Sequence, residues 1–283
     1  MTAQIDDGGG PLTIADLEAA LFAAFPSEHA EGWDHVGRSV GDPDAPVERV
    51  MCALDATEAN VVRAAEAGAN VLVAHHPVFL GAPAAFGPRP SAENPQSAAA
   101  LYGAVRRGIA IISMHTNLDR SLEARQALCE RLGLHALSSL EYPDAPERCG
   151  LGALADAEPI ALEALSRRAA HAFSTVPRIW GAPDAMVSRI AVLGGSLGDL
   201  GELAMKAGAQ AIVCGEAGYH VCQDLAARGC AVVLLGHDAS ELPFAEVLAR
   251  TVCASGVPTD AVTVMGERRQ WWSLDEGALH DNR

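Results

Sequence analysis

The chain has 283 residues, 49% of them hydrophobic but only 5% aromatic, and a formal charge of −16. That length and apolar content support one large α/β domain or two small ones, with a core built from Ala, Val, Leu and Ile. Such acidity works against nucleic acid and anionic membrane surfaces, and no basic run longer than Arg106-Arg107 or Arg268-Arg269 offsets it.

Thr13 followed by Asp16 predicts a helix start, with Leu17, Leu21 and Phe25 on one face and Pro26 closing it. Residues 49–54 predict a buried strand that ends at Asp55. A helix through Val61 to Ala67 leads to a second strand, residues 70–74, which stops at His75-His76-Pro77. Residues 78–93 are rich in Gly and Pro and predict a loop. A helix over about residues 96–106 precedes a third strand, residues 109–113, ending at Met114-His115.

The second half repeats this plan. Arg189-Ile-Ala-Val-Leu-Gly194 resembles Arg49-Val-Met-Cys-Ala-Leu54, residues 206–214 resemble 66–74, and residues 228–234 resemble 107–113. Three matches in one order point to duplication. Continuous apolar strands alternating with helices imply parallel pairing with both sheet faces covered. The expected fold class is therefore α/β: two similar strand-helix-strand-helix-strand halves, mostly parallel sheets, helices on both faces, and a metal cleft between the halves. The expected boundaries are residues 12–136 and 189–266 for the halves, 137–188 as a connecting segment, and 267–283 as a tail containing Trp271-Trp272. The halves are also compatible with one compact unit.

The seven cysteines, Cys52, Cys129, Cys149, Cys214, Cys222, Cys230 and Cys253, are odd in number and form no Cys-x-x-Cys. They indicate a reducing compartment rather than a disulfide framework. Cys52, Cys214 and Cys230 lie in apolar runs, as core residues do. Met1 to Gly10 is acidic and Gly-rich without an apolar stretch, and no segment approaches membrane-spanning length. The expected location is the cytoplasm.

Ligands of parallel sheets collect beyond the carboxyl ends of the strands. Here those ends carry Asp55, His75, His76, His115, Gly194-Gly195, Gly215-Glu216 and His237. Neighbouring side chains on an extended backbone point to opposite sides, so His75 and His76 suit two adjacent ions better than one. Asp119 follows His115 by four residues and can turn back over the sheet edge. His237 and Glu241 share that spacing where a helix opens, and so do Glu216 and His220. Imidazole and carboxylate donors suit Zn, Fe, Mn or Ni. Five ligands, His75, His76, Asp119, His237 and Glu241, hold two divalent ions if Asp119 or Glu241 bridges, leaving positions for water. Glu216, His115 and His220 are candidates for proton relay. His29, His135, His171 and His280 read as surface or packing residues, and Asp238 as a helix-start residue.

These pieces together resemble the NGG-interacting-factor-three-like family, also labelled type 2 GTP cyclohydrolase I or dinuclear-metal-centre hexameric proteins. The likeness rests on Gly32-Trp33-Asp34-His35-Val36-Gly37, Ala53-Leu54-Asp55-Ala56-Thr57, His75-His76-Pro77, His115-Thr116-Asn117-Leu118-Asp119, Cys214-Gly215-Glu216 with His220, and Gly236-His237 with Ser240-Glu241. They run in the family's order over about residues 12–266, in the short form without an inserted domain. The resemblance implies the same five metal ligands and a homohexamer with sites facing an inner cavity. His35 and Arg38 depart from the family's Asn and Leu, and residues 120–124 depart from its Gly-Asn-Asp stretch.

The resulting expectation is a dinuclear metal-dependent hydrolase acting on a nucleotide or purine-like ring, with activated water as the nucleophile. Neither nucleic acid nor membrane is expected as a partner. A triphosphate would need a cationic clamp, for which Arg38, Arg106, Arg107 and Arg120 are candidates, each equally readable as surface charge. Gly194–Asp199 reads either as an anion cradle or as a tight structural turn. Two other classes fit the same residues: a metal-binding hexameric scaffold, and a regulatory partner-binding protein without significant catalysis.

Overall fold

A computed structural model describes residues 11–90, 96–266 and 270–273. The expectations for Met1 to Gly10, for His280 and for most of the tail lie outside the described residues. The first half comprises α1 (Ile14–Ala24), β1 (Gly37–Val40), β2 (Val50–Ala53), α2 (Glu58–Glu66), β3 (Val71–Ala74), α3 (Gln96–Arg107) and β4 (Ala110–Ser113). A single turn, α4 (Thr116–Asp119), leads to α5 (Leu122–Arg131). The rest comprises β5 (His135–Ser138), β6 (Ala153–Ala161), α6 (Leu162–Ala172), β7 (Arg178–Trp180), β8 (Met186–Val192) and α7 (Leu200–Lys206). It ends with β9 (Ala211–Cys214), α8 (Tyr219–Ala227), β10 (Ala231–Leu234), α9 (His237–Ala254) and β11 (Val262–Val264).

Local chemistry starts the helices. Thr13 Oγ1 accepts from the Asp16 amide while the Asp16 carboxylate accepts from the Thr13 amide, a closed capping box that stabilises α1 by about 1 kcal/mol. Thr57 caps α2 and Ser121 caps α5 from one side only, each hydroxyl accepting from the amide three residues on. The predicted face of α1 is the buried one: Leu17, Leu21 and Phe25 are fully inaccessible.

The strands sort into two sheets, ordered β1-β4-β3-β2-β11 and β5-β6-β8-β9-β10-β7. In the first, β11, β2, β3 and β4 are parallel and β1 is an antiparallel edge. In the second, β8, β9 and β10 are parallel, while β5, β6 and β7 pair antiparallel. Read from the other edge, the second sheet runs β7-β10-β9-β8, the same plan as β1-β4-β3-β2, but its next strand β6 is antiparallel to β8 whereas β11 is parallel to β2. Each half is thus three parallel strands joined by two helices, with an earlier strand laid antiparallel on the third.

Three hydrophobic clusters define the layers. One contains α2, α3 and one face of the first sheet, and another contains α7, α8 and one face of the second. The largest lies between the sheets, where residues of α1, α5, α6 and α9 meet the inward residues of both. Strands covered on both faces must be apolar throughout, and β2, β3, β9 and β10 are buried along their whole length.

The chain departs from the expected division at two places. Residues 137–188, expected as a connection, supply β6, α6 and β7 to the second sheet. Residues 262–264, expected in the second half, return as β11 beside β2 of the first sheet. Neither stretch carries a continuous apolar run, because β6 is partly solvated and β11 has only three residues. No helix among the described residues is long and apolar enough to cross a membrane.

Candidate metal centre

The carboxyl ends of β3, β4 and β10 meet at one place, with α9 beginning there. His75 and His76 leave β3, His115 leaves β4 and caps α4, and Asp119 ends that single turn. His237 is the first residue of α9 and Glu241 lies one turn along, so both point the same way. Three donor sets each lie within 4.8 Å: His75, Asp119 and Glu241; His76, His237 and Glu241; and His75, His76 and His115.

Glu241 belongs to two of them. Its Oε2 is 2.9 Å from His76 Nε2 and 3.1 Å from His237 Nε2. Its Oε1 is 3.8 Å from His75 Nε2, which is 3.5 Å from Asp119 Oδ1. Donors about 2 Å from a tetrahedral ion stand roughly 3.3 Å from one another, so these separations suit two cations sharing one carboxylate.

Each of the four imidazoles has its other nitrogen anchored. His75 Nδ1 is 3.0 Å from the Met114 carbonyl, and His76 Nδ1 is 2.8 Å from Asp55 Oδ1. His115 Nδ1 is 2.9 Å from Asp34 Oδ1, and His237 Nδ1 is 3.0 Å from Glu216 Oε1. A carbonyl only accepts, so His75 Nδ1 carries the proton and Nε2 carries a lone pair. That Nε2 is buried with no hydrogen-bond partner, facing two carboxylate oxygens. These facing lone pairs repel one another, and a cation between them would relieve that repulsion, so the residues fit a metal. Outer carboxylates and carbonyls of this kind orient metal-binding imidazoles.

The electrostatics of the cluster agree. Burial lowers His75, keeping it neutral. Burial also pulls on His76, but Asp55 and Glu241 outweigh it and lift the group to about 10. Glu241, and then Glu216, lift His237 to about 9 despite partial burial. Burial and the Glu241 charge raise Asp119, whereas the imidazoles of His237, His75 and His76 around Glu241 hold it low against its own burial. Asp34 is buried too, yet hydrogen bonds from His115 and Thr116 keep it well below the usual carboxylate range.

Glycines make the approach possible. A side-chain carbon on Gly195, whose φ is +59°, would overlap Glu241 Oε1. One on Gly215 would fall 2.5 Å from both the Gly195 carbonyl and Ser240 Oγ. Gly195 N donates to Ser240 Oγ and Leu197 N to the Glu216 carbonyl. The Gly194–Asp199 turn therefore uses these amides internally and seats Glu241, the structural one of its two readings.

The structure brings the five proposed ligands together and adds His115 beside them. Glu216 sits behind His237 rather than in the open cleft. His220 does not join the cluster: it is exposed on α8 and contacts Gln223. Gly218 caps α8, so Glu216 lies before the helix and the four-residue spacing no longer aligns it with His220. Sequence reasoning assigned no role to Asp34, 81 residues from its partner His115, or to Asp55, although both stand inside recognisable motifs. His35 packs on the ring of Phe79, at 4.4 Å between centroids. Gln270 of the tail donates to Asp55 Oδ2 and Trp271 to Asp238 Oδ2, over a second small cavity beside His76 and His237.

Comparison with known proteins places this geometry. A Streptomyces coelicolor protein named GTP cyclohydrolase 1 type 2 homolog is 32% identical over 242 residues, 83% of each chain. A Clostridium acetobutylicum protein of the same name is 28% identical, covering 84% of this chain and 89% of its own. Among solved structures, a Staphylococcus aureus hypothetical protein matches 94% of this chain and 100% of its own with TM-score 0.83 at 23% identity. A Bacillus cereus protein related to NIF3 has the same coverage with TM-score 0.82 at 19% identity. With the family model Duf34/NIF3 (NGG1p interacting factor 3) matching residues 12–265, the chain belongs to that family.

Proposed function

We propose that this protein is a dinuclear metal-dependent hydrolase that opens a purine-like ring. His75, Asp119 and Glu241 would hold one divalent ion and His76, His237 and Glu241 the other. Zn, Fe, Mn and Ni all suit these donors. When bound, such a pair supplies Lewis acidity and activates water near neutral pH. The observation that carries the reading is the shared Glu241 carboxylate facing the unpartnered Nε2 of His75. The names of the relatives support a cyclohydrolase-type substrate.

The chain's own residues have separable tasks. Asp55 and Glu216 hold His76 and His237 with their Nε2 atoms inward. His115, backed by Asp34, lines the cavity beside the cluster and is the group placed to carry a proton. In hydrolysis the water oxygen joins a ring carbon and the departing nitrogen gains a proton, which His115 can deliver. Glu216 acts on His237, and His220 takes no part.

The test is turnover of a purine-ring substrate by protein loaded with each candidate metal. Loss of turnover in His76→Ala, with the assembly intact, supports the hydrolase. Collapse of the assembly on chelation, with no substrate turned over, favours the scaffold. We further propose a homohexamer, as the family likeness implies. Sedimentation at six chains supports this, and a stable monomer overturns it.

A further inference from the structure

A cavity of about 570 Å³ opens beside the metal cluster, with His115, Asp119, His237 and Glu241 at one end. Its wall is largely apolar, formed by Trp33, Leu80, Leu193, Leu200 and Phe244 among others. Trp33 is 57% exposed, although it stands edge-on to His115 with 6.0 Å between centroids. An indole left this open at the mouth of a cavity is a stacking surface for a planar ring.

Away from the metal cluster, the described residues lining the cavity offer a polyphosphate no free cationic side chain. Its one permanent cation among the described lining residues is Arg125, whose Nη1 and Nη2 donate to the Pro146 and Arg148 carbonyls at 2.8 and 2.7 Å. Arg120 is held by Glu31, Glu141 and the His29 carbonyl. Arg38 is held by Glu18 and the Gly41 carbonyl. Arg106 and Arg107 are exposed on α3 and do not line the cavity. The Gly194–Asp199 turn has its Gly195 and Leu197 amides committed. The remaining lining charges, Glu31 and Asp199, are negative.

We propose that the substrate is an uncharged planar heterocycle of nucleobase size, seated on Trp33 with its reacting carbon toward Glu241, and not a nucleoside triphosphate. This rests on the hydrolase reading for its chemistry, but its binding preference can be measured separately. With the metal end of the cavity occupied by the reacting ring, phosphates in its outer part would meet Glu31 and Asp199, with no uncommitted arginine among the described lining residues to offset them, and like charges placed together are costly.

The experiment is equilibrium dialysis of metal-loaded full-length protein against guanine, guanosine and GTP, with turnover followed in parallel. The expected result is that guanine or guanosine binds at least about tenfold tighter than GTP. Trp33→Ala should weaken the ring ligand by about tenfold, the scale of losing one base–aromatic stack, at unchanged metal content, and Trp33→Phe should restore most of it. Equal or tighter binding of GTP overturns the proposal, as does failure of all three to bind. Ring binding without turnover of any probe would sink the hydrolase reading and leave this preference standing. Faster turnover of GTP than of guanosine would do the reverse.

Discussion

Glu241, in the second half of the chain, places Oε2 2.9 Å from Nε2 of His76, which leaves a strand of the first. The two residues are 165 positions apart, and the contact ties both halves of the duplicated plan at a single carboxylate. Because Glu241 also faces His75 and His237, removing its charge should disturb both proposed cation positions together. Glu241→Gln is expected to lower affinity at both by at least about 100-fold, the upper end of what an outer-shell partner costs. Metal titration followed by elemental analysis checks this. Loss at one position alone would contradict the shared role.

The outer partners should separate the two positions. Asp55→Asn and Glu216→Gln each release one imidazole of the His76, His237 and Glu241 set. Each is expected to weaken metal there by about 10–100-fold, while the His75, Asp119 and Glu241 set keeps its ion. His220→Ala, altering an exposed residue bonded only locally to Gln223, should leave metal content unchanged. Stoichiometry during stepwise metal addition measures all three.

Metal uptake should be coupled to protons. In the metal-free protein the neighbouring carboxylates lift His76 to about 10 and His237 to about 9, against an ordinary 6.5. Both are charged at neutral pH and must release protons to bind metal, and the raised Asp119 adds a further fraction, so uptake at pH 7 should release at least about two protons per chain and weaken as pH falls. Stability follows the opposite sense. A raised imidazole contributes fully below about pH 6.5 and loses that contribution as pH rises through its folded value. Metal-free protein is therefore expected to unfold more easily between about pH 7 and pH 10, as denaturant titrations would show. A flat profile would contradict the charged His76–Glu241 pairing.

Gly195→Ala removes no polar atom. Its left-handed φ of +59° strains any added side chain, and the new carbon would overlap Glu241 Oε1. The expected outcome is a stability loss of about 1 kcal/mol or more, together with weakened metal binding at both positions. Thermal unfolding and metal titration on the same variant test it. Normal metal affinity would show that the turn does not set the Glu241 position.

The parts of this fold readable from sequence are those with one dominant pattern. Strands β2, β3, β9 and β10 are continuous apolar runs buried on both faces, and their ends expose the histidines and acids directly. Strand β1, Gly-Arg-Ser-Val, and β11, Val-Thr-Val, give too short a signal, and their sheet assignment depends on distant pairing. Helix position decides the paired spacings. His237 begins α9, so Glu241 lies one turn above it, whereas Glu216 precedes the cap of α8 and parts from His220. Asp34 belongs to an irregular stretch between α1 and β1, where no periodicity says which residue it will meet. Its bond to His115 exists only once the β4 end is folded against it.

The most direct test of two cations sharing Glu241 is crystallographic anomalous scattering from natively isolated protein, paired with elemental analysis. Two peaks per chain are expected, one beside His75 and Asp119 and the other beside His76 and His237, both within about 2.3 Å of Glu241 oxygens. Protein that contains no transition metal, takes none up on incubation, and shows no peak at Glu241 would contradict the account.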